Sequence, residues 1–220
     1  MFGKSEVNVN ADFKKTDGQT NTLTEEALLW TAFKDGDQQA FSRLYYKYYR
    51  PLYNYGYTLF PEKELLKDTL QELFFEIWRD RQKLGQVYSV KLYLLTSFRR
   101  KLIYKINQQR KRNTFTHTNV LQQESYEAEL ILTQTEVAQQ TRLQQEMDKL
   151  PQRQKEALYL RFYQELSYQQ ITEIMKLQYQ TVRDLVHKAL KTLREKLRSA
   201  TFPLHMMLVL AFSLPAFLGL

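Results

Sequence analysis

Ser167-Tyr168-Gln169-Gln170-Ile171-Thr172-Glu173-Ile174-Met175, then Lys176-Leu177-Gln178, then Tyr179-Gln180-Thr181-Val182-Arg183-Asp184-Leu185-Val186-His187-Lys188-Ala189-Leu190-Lys191 is the stretch on which the fold turns. Its later part sets apolar residues three and four apart (Val182, Leu185, Val186, Ala189, Leu190, then Leu193 and Leu197), which predicts a long helix over 180–197 with one buried face. The opposite face carries Arg183, His187, Lys188, Lys191 and Arg194. The earlier part predicts a short helix over 168–175, with a turn from Lys176 to Tyr179 between the two. A short helix, a tight turn and a longer basic helix make a helix-turn-helix, whose second helix presents its N-terminal side chains to base edges in the major groove. That end offers Gln178, Tyr179, Gln180, Thr181, Arg183 and Asp184. Gln can bond adenine in two places and Arg can do the same with guanine. His187, Lys188 and Lys191 lie further along and suit phosphates, which position a protein without specifying sequence.

Upstream, Leu150-Pro151 separates two helices, and 152–163 is predicted as one helix, giving an all-α unit over residues 134–199. Residues 107–133, rich in Gln, Asn and Thr, predict an extended linker. Ahead of it the periodicity is again helical. A helix starts at Thr24-Glu25-Glu26 and ends at the turn signal Lys34-Asp35-Gly36-Asp37. A second holds Phe41, Leu44, Tyr48, Leu52 and Tyr55, and its Pro51 predicts a kink or a break near Arg50. A third opens at Pro61-Glu62 and carries Leu66, Leu70, Leu73, Phe74 and Ile77 inward, with Asp68, Gln71, Glu72 and Phe75 on the opposite face. A fourth runs from about Ser89 to Ile106, with Leu92, Leu95, Phe98 and Leu102 on one side and Tyr93, Ser97, Arg100, Lys101 and Tyr104 on the other. The fold class is therefore all-α: a four-helix unit over 24–106 and a helix-turn-helix unit, joined by a flexible linker. Residues 1–23 lack apolar periodicity and are expected to form a disordered arm.

Charge is placed unevenly. The chain of 220 residues carries a net +8, but residues 79–112 hold eleven Lys/Arg against Asp80 alone, and residues 176–198 hold seven against Asp184 and Glu195. Two basic blocks on an otherwise slightly acidic chain point to two polyanion-binding surfaces. In the first block, cations alternate with Tyr88, Tyr93 and Tyr104, a pattern suited to single strands whose bases stack on rings. With no cysteine, disulfides and thiol chemistry are excluded. His117, His187 and His205 lie far apart, so no metal site is expected, and no cofactor either. The absence of a phosphate loop or nucleophile elbow argues against an enzyme. Residues 200–220 form an uncharged apolar tail, apart from His205. Two readings of the tail stay open: a membrane contact through residues 201–220, or packing against this chain or a partner.

Two runs resemble a known family. Asp68-Thr-Leu-Gln71-Glu72-Leu-Phe74-Phe75-Glu-Ile-Trp78 resembles the signature of sigma domain 2. Leu150-Pro151-Gln-Arg-Gln-Lys-Glu-Ala-Leu-Tyr-Leu-Arg-Phe-Tyr163, followed by Leu166-Ser167-Tyr168, Thr181-Val182-Arg183 and Lys188-Ala189-Leu-Lys-Thr-Leu-Arg194, resembles sigma domain 4. The chain is thus similar to extracytoplasmic-function (ECF) members of the bacterial sigma-70 family. The resemblance implies a non-catalytic, cytoplasmic subunit that joins core RNA polymerase, recognises promoter DNA and is held by an anti-sigma factor. It implies polymerase docking through Asp68, Gln71, Glu72 and Phe75. For the melted −10 element it implies Arg79, Arg81, Lys83, Lys91, Tyr93, Ser97, Arg100, Lys101 and Tyr104. For the duplex −35 element it implies the nine residues from Gln178 to Lys191 named above. Two positions depart from the family pattern. Lys176 stands where the turn usually has Gly, so it must accept that backbone geometry, and Gln178 stands where a small hydroxyl residue usually caps the recognition helix.

Overall fold

The structure, a computed structural model, describes residues 17–115 and 143–197, and every regular element in them is helical. Helix α1 spans Asp17–Lys34 and so begins seven residues before the expected start at Thr24. Trp30 and Phe33, both buried, fix its last turns, and a helix grows backward from a fixed turn without apolar residues of its own. Residues 1–16 of the expected arm lie outside the described residues. Gly36, at φ +95, makes the turn into α2 (Gln38–Leu59), where the Asp37 carboxylate accepts from Gln39 N at 2.7 Å and Ala40 N at 3.3 Å. Of the kink or break expected near Arg50, the break is absent, and α2 runs through Pro51. Leu44 and Tyr48 before the proline and Leu52 and Tyr55 after it are buried on one face, and this packing outweighs the lost backbone bond.

Helix α3 is Lys63–Arg79, so Pro61 precedes the cap residue Glu62 instead of opening the helix. A 3-10 turn, Arg81–Lys83, follows. Helix α4 spans Val90–Phe115 and takes up nine residues of the expected linker. Gln109 explains part of this extension: its amide donates to both carboxylate oxygens of Glu62, at 3.2 and 3.0 Å, tying the turn beyond Ile106 to the start of α3. Leu66, Leu70, Phe98 and Leu102 form the centre of this amino-terminal unit.

In the carboxy-terminal unit, α5 covers 143–148 and α6 Gln152–Leu158. The single helix expected over 152–163 ends instead in a π-helical turn, Tyr159–Tyr163, closed by Gln164 N donating to Tyr159 O at 3.0 Å. The wider turn buries the neighbours Tyr159 and Leu160 together, and the chain leaves it through Glu165 at φ 56. Helix α7 (Tyr168–Met175) starts on a capping box between Ser167 and Gln170. Lys176, at φ 54 and ψ 46, takes the left-handed geometry expected of it, and α8 (Tyr179–Lys196) begins at Gln178 without a side-chain cap bond. The two units do not stand apart. Helices α2 and α4 pack on α6 and α7, and the buried side chains form one continuous core.

Gly56 sits where three helices of the amino-terminal unit converge. A Cβ there would lie 2.6 Å from Leu66 Cδ2 and 2.8 Å from Phe98 Cζ. Gly56→Ala gains helix propensity but overpacks this junction, so urea unfolding should show a net loss of about 1–2 kcal/mol. An alanine variant as stable as the parent would mean that the junction yields freely.

Candidate nucleic-acid and polymerase interface

All nine residues expected to meet duplex DNA, Gln178, Tyr179, Gln180, Thr181, Arg183, Asp184, His187, Lys188 and Lys191, are exposed on α8 or at its start. The buried stripe Val182, Val186, Ala189 and Leu193 turns them outward. Gln180 Nε2 donates to Asp184 Oδ1 at 2.9 Å, so these two neighbours steady each other. Tyr179 lies edge-on to Tyr168 at 6.0 Å, and the Arg161 guanidinium sits 5.1 Å over the Tyr168 ring, tying the start of α8 to α7 and the π turn.

In the amino-terminal unit a cleft of about 440 Å³ opens between α3, the loop after it and α4. Tyr93, Ser97, Arg100, Lys101 and Tyr104, all expected at the −10 site, line it. Glu76, Asp80 and Leu84 line it too, and sequence reasoning missed them. Asp80 was traceable as the sole acid of the basic block. The loop is pinned from below: Trp30 Nε1 donates to Gly85 O at 3.2 Å while its ring meets Tyr93 edge-on at 5.5 Å. Rings for stacking, Arg100 for backbone charge, and carboxylates and a hydroxyl for a base edge are thus gathered at one opening.

The remaining cations of the first block differ in where their heads lie. Lys83 is exposed, 3.6 Å from Asp80, and Arg79 pairs with Asp80 at 2.7 Å and lies 5.9 Å over the Phe75 ring. Arg81, also expected at the −10 site, turns its guanidinium inward, 4.4 Å over the Trp78 ring, with Nη1 donating to Trp78 O at 2.8 Å and Nε buried. In this position it holds the loop against α3. Lys91 points to the other unit. Its Nζ donates to Gln164 O of the carboxy-terminal unit at 2.8 Å, and burial pushes its pKa down, against the opposing pull of Glu165 and Glu26. Lys101 lines the cleft but is also bridged to Glu76 at 2.7 Å and Glu72 at 3.3 Å.

Asp68, Gln71, Glu72 and Phe75 are exposed together on α3, with the Phe75 ring 63% exposed. Glu72 stands on the edge shared with the cleft. Its carboxylate accepts from Lys105 at 2.6 Å, and this bond, with further help from Lys101, holds its pKa below the usual range despite some burial. Among the described residues no cluster of His, Cys, Asp or Glu could hold a metal ion, and no helix is long and apolar enough to cross a membrane. Residues 201–220, the subject of the membrane expectation, lie outside the described residues.

Residues 44–112 match Sigma-70 region 2, and residues 147–195 match Sigma-70, region 4, so the two halves of the site fall on two regions of one family in their expected order. The chain belongs to the sigma-70 family. RNA polymerase sigma factor YlaC of Bacillus subtilis (strain 168) is 27% identical over 162 residues, covering 70% of this chain and 90% of that protein. Among solved structures, sigma factor RpoE of Bartonella quintana, crystallised with the anti-sigma factor NepR, superposes with a TM-score of 0.59 at 16% identity, covering 72% of this chain and 96% of that one. CnrH, in complex with the cytosolic domain of CnrY, gives a TM-score of 0.53 at 15% identity, with 80% and 99% covered. These two are likenesses of fold. The sigma-70 resemblance drawn from Asp68–Trp78 and Leu150–Tyr163 is borne out by both region matches. As a sigma-70 family member the chain has a regulatory role in transcription initiation.

Proposed function

We propose that this sigma factor directs core RNA polymerase to promoters by reading duplex −35 DNA with α8 and holding the unpaired −10 strand in the α3–α4 cleft. The observation that carries the reading is the contrast between two surfaces of one chain. One is a helix with nine exposed polar or charged side chains of the kinds that read base edges and phosphates. The other is a cleft walled by tyrosines and cations, suited to unstacked bases. The exposed face Asp68, Gln71, Glu72 and Phe75 is the docking surface for polymerase: an uncovered ring beside acids and an amide suits a protein interface. The protein does no chemistry of its own, needs no cofactor, and works in the cytoplasm, where polymerase meets the chromosome. The solved neighbours bound to NepR and CnrY support an anti-sigma partner here too.

Run-off transcription with core polymerase over a promoter library tests the reading, and transcripts from a defined subset of promoters are the expected result. No template-directed transcript from any member would overturn it. Within that assay, Arg183→Ala should cost about 1–3 kcal/mol at one promoter position and relax its sequence preference. Lys191→Ala should instead weaken all promoters alike and reduce the salt dependence. Identical behaviour of the two variants on matched and scrambled −35 DNA would refute the assignment of base readout to Arg183.

A further inference from the structure

We propose that Glu156 is a latch that holds the two units of the free chain shut, so that the sigma factor must open before it can occupy both promoter elements. The need for opening rests on the reading above, but the latch itself does not. The Glu156 side chain is 3% exposed, yet it belongs to α6 while its donors belong to the other unit. Tyr55 Oη of α2 donates to Oε1 at 2.6 Å. Arg99 of α4 donates from Nε to Oε1 at 2.7 Å and from Nη2 to Oε2 at 3.2 Å. Burial, with the Glu156 carboxylate adding to it, raises the Tyr55 hydroxyl well above its ordinary pKa, so Tyr55 remains a donor. Around this centre Tyr55 stacks on Tyr159 of the π turn at 5.8 Å, Gln152 donates to Thr58 O, and Lys91 reaches Gln164 O.

A charge pair is a poor way to glue two surfaces permanently. Both ions lose water on closing, and apolar residues of the same volume often do as well or better. What it provides is a centre that hydrates when the units separate, within a joint that is otherwise largely apolar. A purely apolar joint would expose an adhesive patch on opening. Geometry requires the opening. Helix α4 packs on α7, and α7 packs on α8. With packed axes 8–10 Å apart, α4 and α8 lie within roughly 20 Å of each other where these contacts occur. Promoter elements two duplex turns apart are separated by roughly 70 Å. The 27 residues between Phe115 and Leu143 reach about 90 Å at full extension, enough for the open form. Closure also occupies Lys91, one of the cations expected at the −10 site.

The full chain tests this directly, because it has no cysteine of its own. Tyr46→Cys on α2, where Tyr46 is 80% exposed, and Glu173→Cys on α7, also exposed, accept a donor and an acceptor dye. Energy transfer between the dyes then reports closure without any ligand. Glu156→Gln should raise the open population at least about tenfold and tighten apparent binding to core polymerase and promoter by a similar factor, since apparent affinity scales with the competent fraction. Tyr55→Phe removes a single hydroxyl and should open the chain about threefold. Unchanged energy transfer in a Glu156→Gln chain with the parent's helical circular dichroism overturns the latch. Should that variant lose its helical signal, Tyr55→Phe decides, and unchanged transfer there overturns the latch equally. Lower energy transfer with unchanged core and promoter affinity overturns the inhibitory role. If neither the parent chain nor the opened variants support transcription while the variants still open, the promoter reading fails and the latch stands.

Discussion

Phe98→Ala lowers the unfolding free energy by about 3–5 kcal/mol, while Tyr104→Ala, six residues further along the same helix and on another face, changes it by no more than about 0.5 kcal/mol. Phe98 is fully buried, with its ring against the position a Gly56 Cβ would take and 6.4 Å from the Tyr55 ring. Truncation therefore removes the ring's transfer energy and leaves a cavity that α2 and α3 cannot close without unstacking Leu66 and Tyr55. Tyr104 is 61% exposed at the mouth of the cleft, so its removal costs little in folding. Its loss should appear instead in capture of the unpaired −10 strand proposed for the cleft, by about 1–3 kcal/mol per stacked base. Urea unfolding of both variants, paired with holoenzyme binding to a pre-melted −10 template, checks the division. If both variants unfold with the same loss, α4 does not separate a core face from a strand-holding face.

The split of α4 into a buried and a polar face was legible from the sequence, because Leu95, Phe98 and Leu102 recur at helical spacing and the polar residues fall between them. The same logic recovered α7 and the buried stripe of α8, where apolar periodicity and element boundaries coincide. It failed where a structure is held by something other than periodicity. Residues 17–23 carry no apolar pattern, and their helix is an extension of turns fixed by Trp30 and Phe33. Residues 107–115 continue α4 partly because Gln109 finds Glu62, 47 positions away. The π turn changes the register by one residue, too small a change for a periodic count to reveal. Charge was the hardest feature to read. Arg81, Lys91 and Lys101 each count as one positive charge in the basic block, yet one lies on Trp78, one bonds the other unit and one bridges two glutamates. A long side chain's formal charge is written in the sequence, but the place of its head group is set by tertiary neighbours. The Tyr55–Glu156 bond, between residues 101 positions apart, had no local signal at all.

Removing three exposed cations from the outer face of α8 should produce the largest functional change. Lys188, Lys191 and Arg194 are all exposed, and among the described residues only Lys191 of the three is paired with a carboxylate, Glu195 at 4.0 Å, a distance at which an exposed pair contributes little. Each cation that neutralises a phosphate releases counterions, contributing about −0.9 to the slope of log affinity against log salt. The triple variant Lys188→Ala, Lys191→Ala, Arg194→Ala should therefore bind promoter with a slope shallower by about 2.7 when all three reach phosphates. Between 50 and 200 mM salt, parent holoenzyme then loses about 40-fold more affinity than variant holoenzyme, since a fourfold rise in salt acts through that slope difference. Measuring a slope difference separates α8 from the cations that polymerase itself contributes, because those are common to both holoenzymes. Parallel salt dependences would mean that this face of α8 does not lie along the duplex. Another exposed face of the carboxy-terminal unit would then have to take its place as the upstream reader.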